Sequence, residues 1–231
     1  MTGHCAYFSF IGCDKWKTQC EHCSQKKGYP ASYLMDRSYH NYRLKKELFT
    51  SVSKMTLVPV SNWLATIVKD SFLKGYPVKT IYNGVNTKVF SPQATDEIRE
   101  KYKIGNRFVM LGVASVWSER KGLKDFIHLS RLLKDDEMII LVGLTNRQIN
   151  HLPSNILGIR RTENVHQLAE LYSMADMVCN LSVEETFGLT TIEGFACGTP
   201  GIVYNCTASP ELITPETGFV VEQGDLAGIR K

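Results

Sequence analysis

No apolar run in this chain approaches the roughly 20 residues that a membrane-spanning helix requires, so no transmembrane segment is expected. The first residues, Met1-Thr2-Gly3-His4-Cys5-Ala6-Tyr7-Phe8, have neither a basic start nor an apolar core, which argues against a secretion leader. There is no internal repeat and no low-complexity stretch, which sets aside repeat architectures and compositional tracts. No recognised module accompanies the basic residues, so nucleic acid is not an expected partner. The seven cysteines are an odd number. Without a leader they suit a reducing, cytoplasmic compartment, as thiols or metal ligands more than disulfides.

What is present is an ordinary globular composition, 43% hydrophobic and 22% charged over 231 residues, enough for one large domain or two smaller ones. The charge is uneven. Residues 1–105 hold sixteen Lys and Arg against eight Asp and Glu, and residues 106–231 hold eleven against fifteen. In the basic part, Leu34, Leu44, Leu48 and the aromatic residues between 33 and 49 recur at spacings compatible with one helical face. The expectation is a surface helix with a buried stripe and a solvated basic side. Its rival is contact with an anionic membrane surface.

Residues 56–60 read as a strand, 62–73 as a helix and 78–82 as a strand ended by Asn83-Gly84. The polar segment 91–96 is read as a linker leading to a short helix. Strands are then expected at 108–114, 138–142 and 177–180, and helices at 123–133, 165–174 and 189–196. Such alternation implies a doubly wound parallel α/β sheet.

Two carboxylates, Glu185 and Glu193, stand eight positions apart with Gly188 between them. Glu185 falls on the loop at the carboxyl end of a strand. Glu193 falls about one turn into the helix that follows, which stops at Cys197-Gly198-Thr199-Pro200. Ligands of open α/β sheets bind at such a crevice, and a helix start offers N–H groups suited to phosphate. The carboxylates themselves are acceptors for sugar hydroxyls. Together these chemistries point to a sugar nucleotide.

The E-x7-E spacing followed by Ala196-Cys197-Gly198-Thr199-Pro200 resembles the donor site of retaining glycosyltransferases of family 4, which have the GT-B fold. Val60-Ser61-Asn62-Trp63-Leu64, Ile81-Tyr82-Asn83-Gly84-Val85-Asn86 with Val89-Phe90, Arg120-Lys121-Gly122 and Tyr204-Asn205-Cys206-Thr207-Ala208-Ser209-Pro210-Glu211 match further landmarks in the same order. The resemblance covers roughly residues 56–225. It implies a Rossmann-like donor domain at 91–231, truncated, preceded at 1–90 by the carboxyl-terminal part of an acceptor domain with a Cys-rich segment at 4–23.

The resemblance also implies roles. Lys121 would contact the donor diphosphate and act chiefly as the leaving group departs, and Glu185 would lie near the transferred sugar. Glu193 would hold the ribose, and Arg120 with the backbone of Phe187, Gly188, Leu189 and Thr190 would complete the cofactor site. Ser115 stands where the family often has a second Arg, with compensation by Arg120 or a greater share for backbone donors as the alternatives, and Glu184 is read as a solvated neighbour. Retention of configuration and no divalent metal at the donor site are implied likewise.

Cys5, Cys13, Cys20 and Cys23 could form a tetrahedral zinc site, with His4 or His22 substituting for a thiol. Free thiols or two disulfides are the alternatives. The expected function is sugar transfer from a nucleotide-diphosphate sugar to a polysaccharide or glycolipid acceptor, in the cytoplasm or at the inner face of the membrane. Two rivals are a sugar-nucleotide epimerase of the same architecture and a non-catalytic, metal-stabilised binding module.

Overall fold

The computed structural model describes residues 13–27, 32 and 34–230. Packing divides the chain into two units, Met1–Tyr82 and Asn83–Lys231. In the first, a 3-10 turn at Lys15–Lys17 precedes helices α1 (Ser38–Thr50) and α2 (Asn62–Asp70). Its small core joins Trp16, Cys20 and Tyr42 to Ile67 and Phe72. The buried rings keep their polar tips satisfied, as such rings generally do. Trp16 Nε1 donates to the Cys13 carbonyl at 2.7 Å and the Tyr42 hydroxyl to the Thr18 carbonyl at 2.8 Å. The Asp36 carboxylate accepts from the amides of Cys23 and Ser38 at 2.6 and 2.8 Å, tying the Cys-rich segment to the start of α1. The Ser38 hydroxyl and amide beside it, with the Cys23 amide, hold its carboxyl down at about 2.

Three expectations for this unit need correction. Residues 56–60 and 78–82 form no strands but meet at a single parallel bridge, Leu57 to Val78. Pro59 and Pro77 lack the N–H that a longer ladder needs. Helix α2 ends at Asp70 because Ser71 turns extended and its hydroxyl donates to the Val68 carbonyl. The stripe on α1 is not buried. Only Ser38 and Tyr42 are covered, whereas Leu34 is 94% exposed and Leu44 and Leu48 are also exposed.

The second unit contains helices α3 (Asp96–Lys101), α4 (Leu123–Leu129), α5 (Asn146–Ile149), α6 (Val165–Met174) and α7 (Leu189–Ala196). Its strands are β1 (Phe108–Val113), β2 (Glu137–Val142), β3 (Ile156–Ile159), β4 (Met177–Asn180), β5 (Gly201–Tyr204) and β6 (Gly218–Val221). They form one parallel sheet in the order β3-β2-β1-β4-β5-β6. Strands buried on both faces read as continuous apolar runs. Alternate residues feed the two faces: Val109, Leu111 and Ile140 pack with Tyr172 of α6, and Met110, Ile139 and Leu141 with Phe126 of α4. Fully burying each such side chain contributes roughly 1.5–3 kcal/mol.

The α/β, doubly wound, Rossmann-like architecture expected from sequence is therefore the one observed. Helix α4 is shorter than expected, because the chain tightens to a 3-10 turn at Ser130–Leu132. The order reverses between β1 and β4, which places a ligand crevice at the carboxyl ends of those strands.

Candidate functional site

Two loops face each other at this crevice. The one after β1 carries a 3-10 turn, Glu119–Lys121, closed by Gly122 in the left-handed region at φ 74°. The one after β4 carries Glu184 and Glu185. The Val183 amide donates to the Arg120 carbonyl at 3.0 Å, and Gly122 lies so close to Leu181 that a Cβ would come within 2.4 Å of its carbonyl oxygen. Only glycine meets both demands at this position.

Across that junction the Lys121 ammonium pairs with Glu185 Oε1, with the two side chains 32% and 15% exposed. Arg120 pairs with Glu184 at 3.0 Å. Glu184 is thus no solvated neighbour: its side chain is 11% exposed and neutralised by Arg120, as a largely buried carboxylate requires. Glu185 is held from a third side. Its amide donates to Thr207 Oγ1 at 2.9 Å, and its carbonyl accepts from the Ala208 amide at 3.3 Å, so the loop after β5 fixes its backbone.

Helix α7 starts at Gly188, at φ 104° and with no side-chain cap. The first-turn amides of any α-helix lack intrahelical acceptors, which here leaves this helix end suited to an anion. Asn180, at the end of β4, braces the turn by donating to Thr191 Oγ1 at 3.2 Å and accepting from the Ser182 amide at 3.3 Å. The Phe187 side chain is buried, Thr190 is half-buried and Leu189 is exposed.

One turn in, Glu193 is half-buried and Oε2 accepts from the Tyr172 hydroxyl at 2.9 Å. Burial pushes the Glu193 carboxyl up from its usual range, and the Tyr172 bond pulls it part of the way back. Burial also raises the Tyr172 phenol well above its ordinary value, with the nearby carboxylate adding to it.

Beside the pair, a cavity of about 780 Å³ opens at the carboxyl ends of β1, β2 and β3, lined by Ser115, Gly143, Thr145, Arg160, Arg161 and Leu168 among others. It reaches the loop after β1 at Ser115 but is not lined by Lys121, Glu185 or Glu193. Tyr172, Thr207, Arg160 and Arg161 escape sequence reading. The Arg-Arg pair directly follows a strand, a usable signal had β3 been recognised.

The zinc expectation does not hold among the described residues. No group of three or more His, Cys, Asp or Glu side chains there could hold a metal ion. Cys20 turns into the core with Trp16 and Tyr42, whereas Cys13 and Cys23 stay partly exposed. Cys5 and His4 lie outside the described residues. No helix among the described residues is long and apolar enough to cross a membrane.

Residues 106–230 match the glycosyl transferases group 1 family. The N-acetyl-alpha-D-glucosaminyl L-malate synthase of Bacillus anthracis is 28% identical over 163 residues, 66% of this chain and 42% of the synthase. The O-antigen chain mannosyltransferase RfbU of Salmonella typhimurium is 28% identical over 200 residues, 80% of this chain and 51% of that protein. Among solved structures, Anabaena HepE in complex with UDP and glucose superposes with a TM-score of 0.67 at 21% identity, covering 82% of this chain and 55% of that one. The chain spans about half the length of the curated relatives it matches. With more than half of its residues inside the family match and the crevice formed as that fold requires, the chain belongs to the glycosyl transferases group 1 family.

Proposed function

We propose that this chain forms the donor side of a glycosyltransferase that moves a sugar from a nucleotide-diphosphate sugar to a glycan or lipid-linked acceptor with retention of configuration. The observation that supports it most is the Lys121–Glu185 pair across the β1–β4 crevice, next to an uncapped helix start. Lys121 and the first-turn amides of α7 would take the diphosphate, neutralising charge as the bond to the anomeric carbon breaks with oxocarbenium character. When the donor enters, Lys121 exchanges part of its bond to Glu185 for phosphate. That releases Glu185 to orient sugar hydroxyls. Glu193 would accept from the ribose, and the neighbouring cavity with Arg160 and Arg161 offers room for the base.

Calorimetric titration with UDP-, GDP- and ADP-sugars tests this, repeated with Lys121→Ala and Glu193→Ala. One preferred base, with both variants weakened, is expected; unaltered binding in both variants would refute the assignment. Release of nucleotide diphosphate only when acceptor is present separates transfer from epimerisation. Activity that survives chelation would support a donor site without divalent metal.

We further assign helix α1 to contact with an anionic lipid surface. Its exposed Leu44 and Leu48 lie beside Arg43, Lys45 and Lys46, the combination that binds such surfaces. Co-sedimentation with vesicles containing anionic lipid should be lost in the Leu44→Asp/Leu48→Asp variant. Equal sedimentation of both proteins would refute it.

A further inference from the structure

Tyr172 is a buried phenol on helix α6, and its hydroxyl donates to Glu193 Oε2 at 2.9 Å. The surroundings fix this ring on several sides. Phe90 packs edge-on against it, with centroids 6.0 Å apart at 70°. Its carbonyl accepts from Thr199 Oγ1 at 2.5 Å, and the Thr199 amide donates to the Gly194 carbonyl at 3.0 Å. The Thr-Pro stop after α7 is thereby tied to α6. Gly194, the residue after Glu193, lets α7 lie close: a Cβ there would come within 2.6 Å of Val178 Cγ2 and 3.6 Å of the Tyr172 ring.

Glu193 Oε1 accepts from none of the described residues, and it is not among the buried atoms that lack a partner, so it opens to solvent. One oxygen is anchored and the other is presented. A carboxylate that accepts from ligand hydroxyls needs this division, because a bond to one oxygen fixes the plane in which the other's lone pairs point.

We propose that Tyr172 is a positioning residue for donor binding, holding Glu193 oriented so that Oε1 meets the ribose hydroxyls of a sugar nucleotide. This rests on the donor-site reading above. The titratable groups facing Glu193 are Tyr172 from α6 and Cys197, the residue that follows α7. Both keep their protons at neutral pH, and comparison with Glu193→Gln separates the contribution of Glu193 from those of the other carboxylates of the site. Since the Tyr172 bond favours the charged carboxylate, removing it raises the Glu193 pKa, and the protonated form then persists to higher pH.

The test measures dissociation constants for UDP-glucose, GDP-mannose and ADP-glucose between about pH 5 and pH 8 in the unmodified chain, Tyr172→Phe and Glu193→Gln. Tyr172→Phe keeps the ring and its packing against Phe90, and thermal denaturation checks that it folds. In the unmodified chain, affinity should fall as pH drops through the Glu193 titration. In Tyr172→Phe that fall should move to higher pH, giving severalfold weaker binding at the acid end of the range and little change near pH 8. Glu193→Gln should lose this dependence. A Tyr172→Phe curve with an unmoved midpoint, whether superimposed or uniformly lowered, would overturn the positioning role and leave the donor site standing. Failure of the unmodified chain to bind any of the three would overturn the donor-site reading, and this inference with it.

Discussion

Replacing Gly122 by alanine tests the crevice as a piece of packing. Gly122 combines a left-handed backbone at φ 74° with a Cβ position 2.4 Å from the Leu181 carbonyl oxygen and 2.8 Å from Leu181 Cβ. A non-glycine residue in that conformation costs about 1–2 kcal/mol. Forcing a methyl group against fixed backbone adds about 1–3 kcal/mol, so Gly122→Ala should destabilise by about 2–5 kcal/mol. Gly105 provides the control: its φ is 62°, but nothing lies within 4 Å of a Cβ there. Gly105→Ala meets only the backbone cost, and the entropy that alanine removes from the unfolded chain is common to both variants. Urea titration with an unchanged slope gives the difference directly. Each kcal/mol corresponds to about 2–4 °C in the midpoint of thermal unfolding for a domain of this size. If Gly122→Ala is no less stable than Gly105→Ala, the close approach of the two loops is wrong, and the Lys121–Glu185 pairing that depends on it loses its basis.

If the chain acts in sugar transfer as proposed, Glu185→Gln and Lys121→Ala should each lower turnover by at least about tenfold; near-normal steady-state rates in both would remove these residues from the chemistry. Asp36, held down at about 2, contributes stability that is complete above its unfolded value near 4 and is lost as the pH falls toward 2. Trp16 fluorescence should therefore report loosening of the Cys-rich segment over that range, and Asp36→Asn should abolish this acid transition. Alkylation read by mass spectrometry should modify Cys13 and Cys23 well before Cys20, Cys179 and Cys197. Those three are buried, and the Cys179 thiol is pushed up to about 12 by burial; equal rates would refute the placement of the thiols.

Helices α6 and α7 and the strand between them were legible because local chemistry and tertiary demand agree there. Helix α6 and strand β4 run as read, with Asn164 capping α6 by accepting from the Gln167 amide at 2.9 Å. Helix α7 likewise runs from Gly188 to the Cys197-Gly198 stop. Strands β3, β5 and β6 were missed because each is four residues long and contains or begins with a glycine. Only pairing with longer neighbours makes such segments strands. Of the candidate site, the placement of Lys121, Glu185 and Glu193 at strand and helix ends was legible from their spacing in sequence. Arg120 meeting Glu184 and Tyr172 meeting Glu193 bring together residues 64 and 21 positions apart. No local pattern encodes those distances. The α1 stripe misled for the converse reason: helical spacing identifies a shared face but says nothing of whether that face is covered.

An all-parallel sheet sends every strand's carboxyl end to one edge, and it therefore has a reverse side. The turn entering β2, Lys134-Asp135-Asp136, is exposed at the opposite edge. It gives a place to attach a dye, a surface linkage or an affinity handle without touching any loop of the crevice. Candidate ligands could then be screened on an immobilised protein whose crevice faces the solution, with every molecule presented the same way.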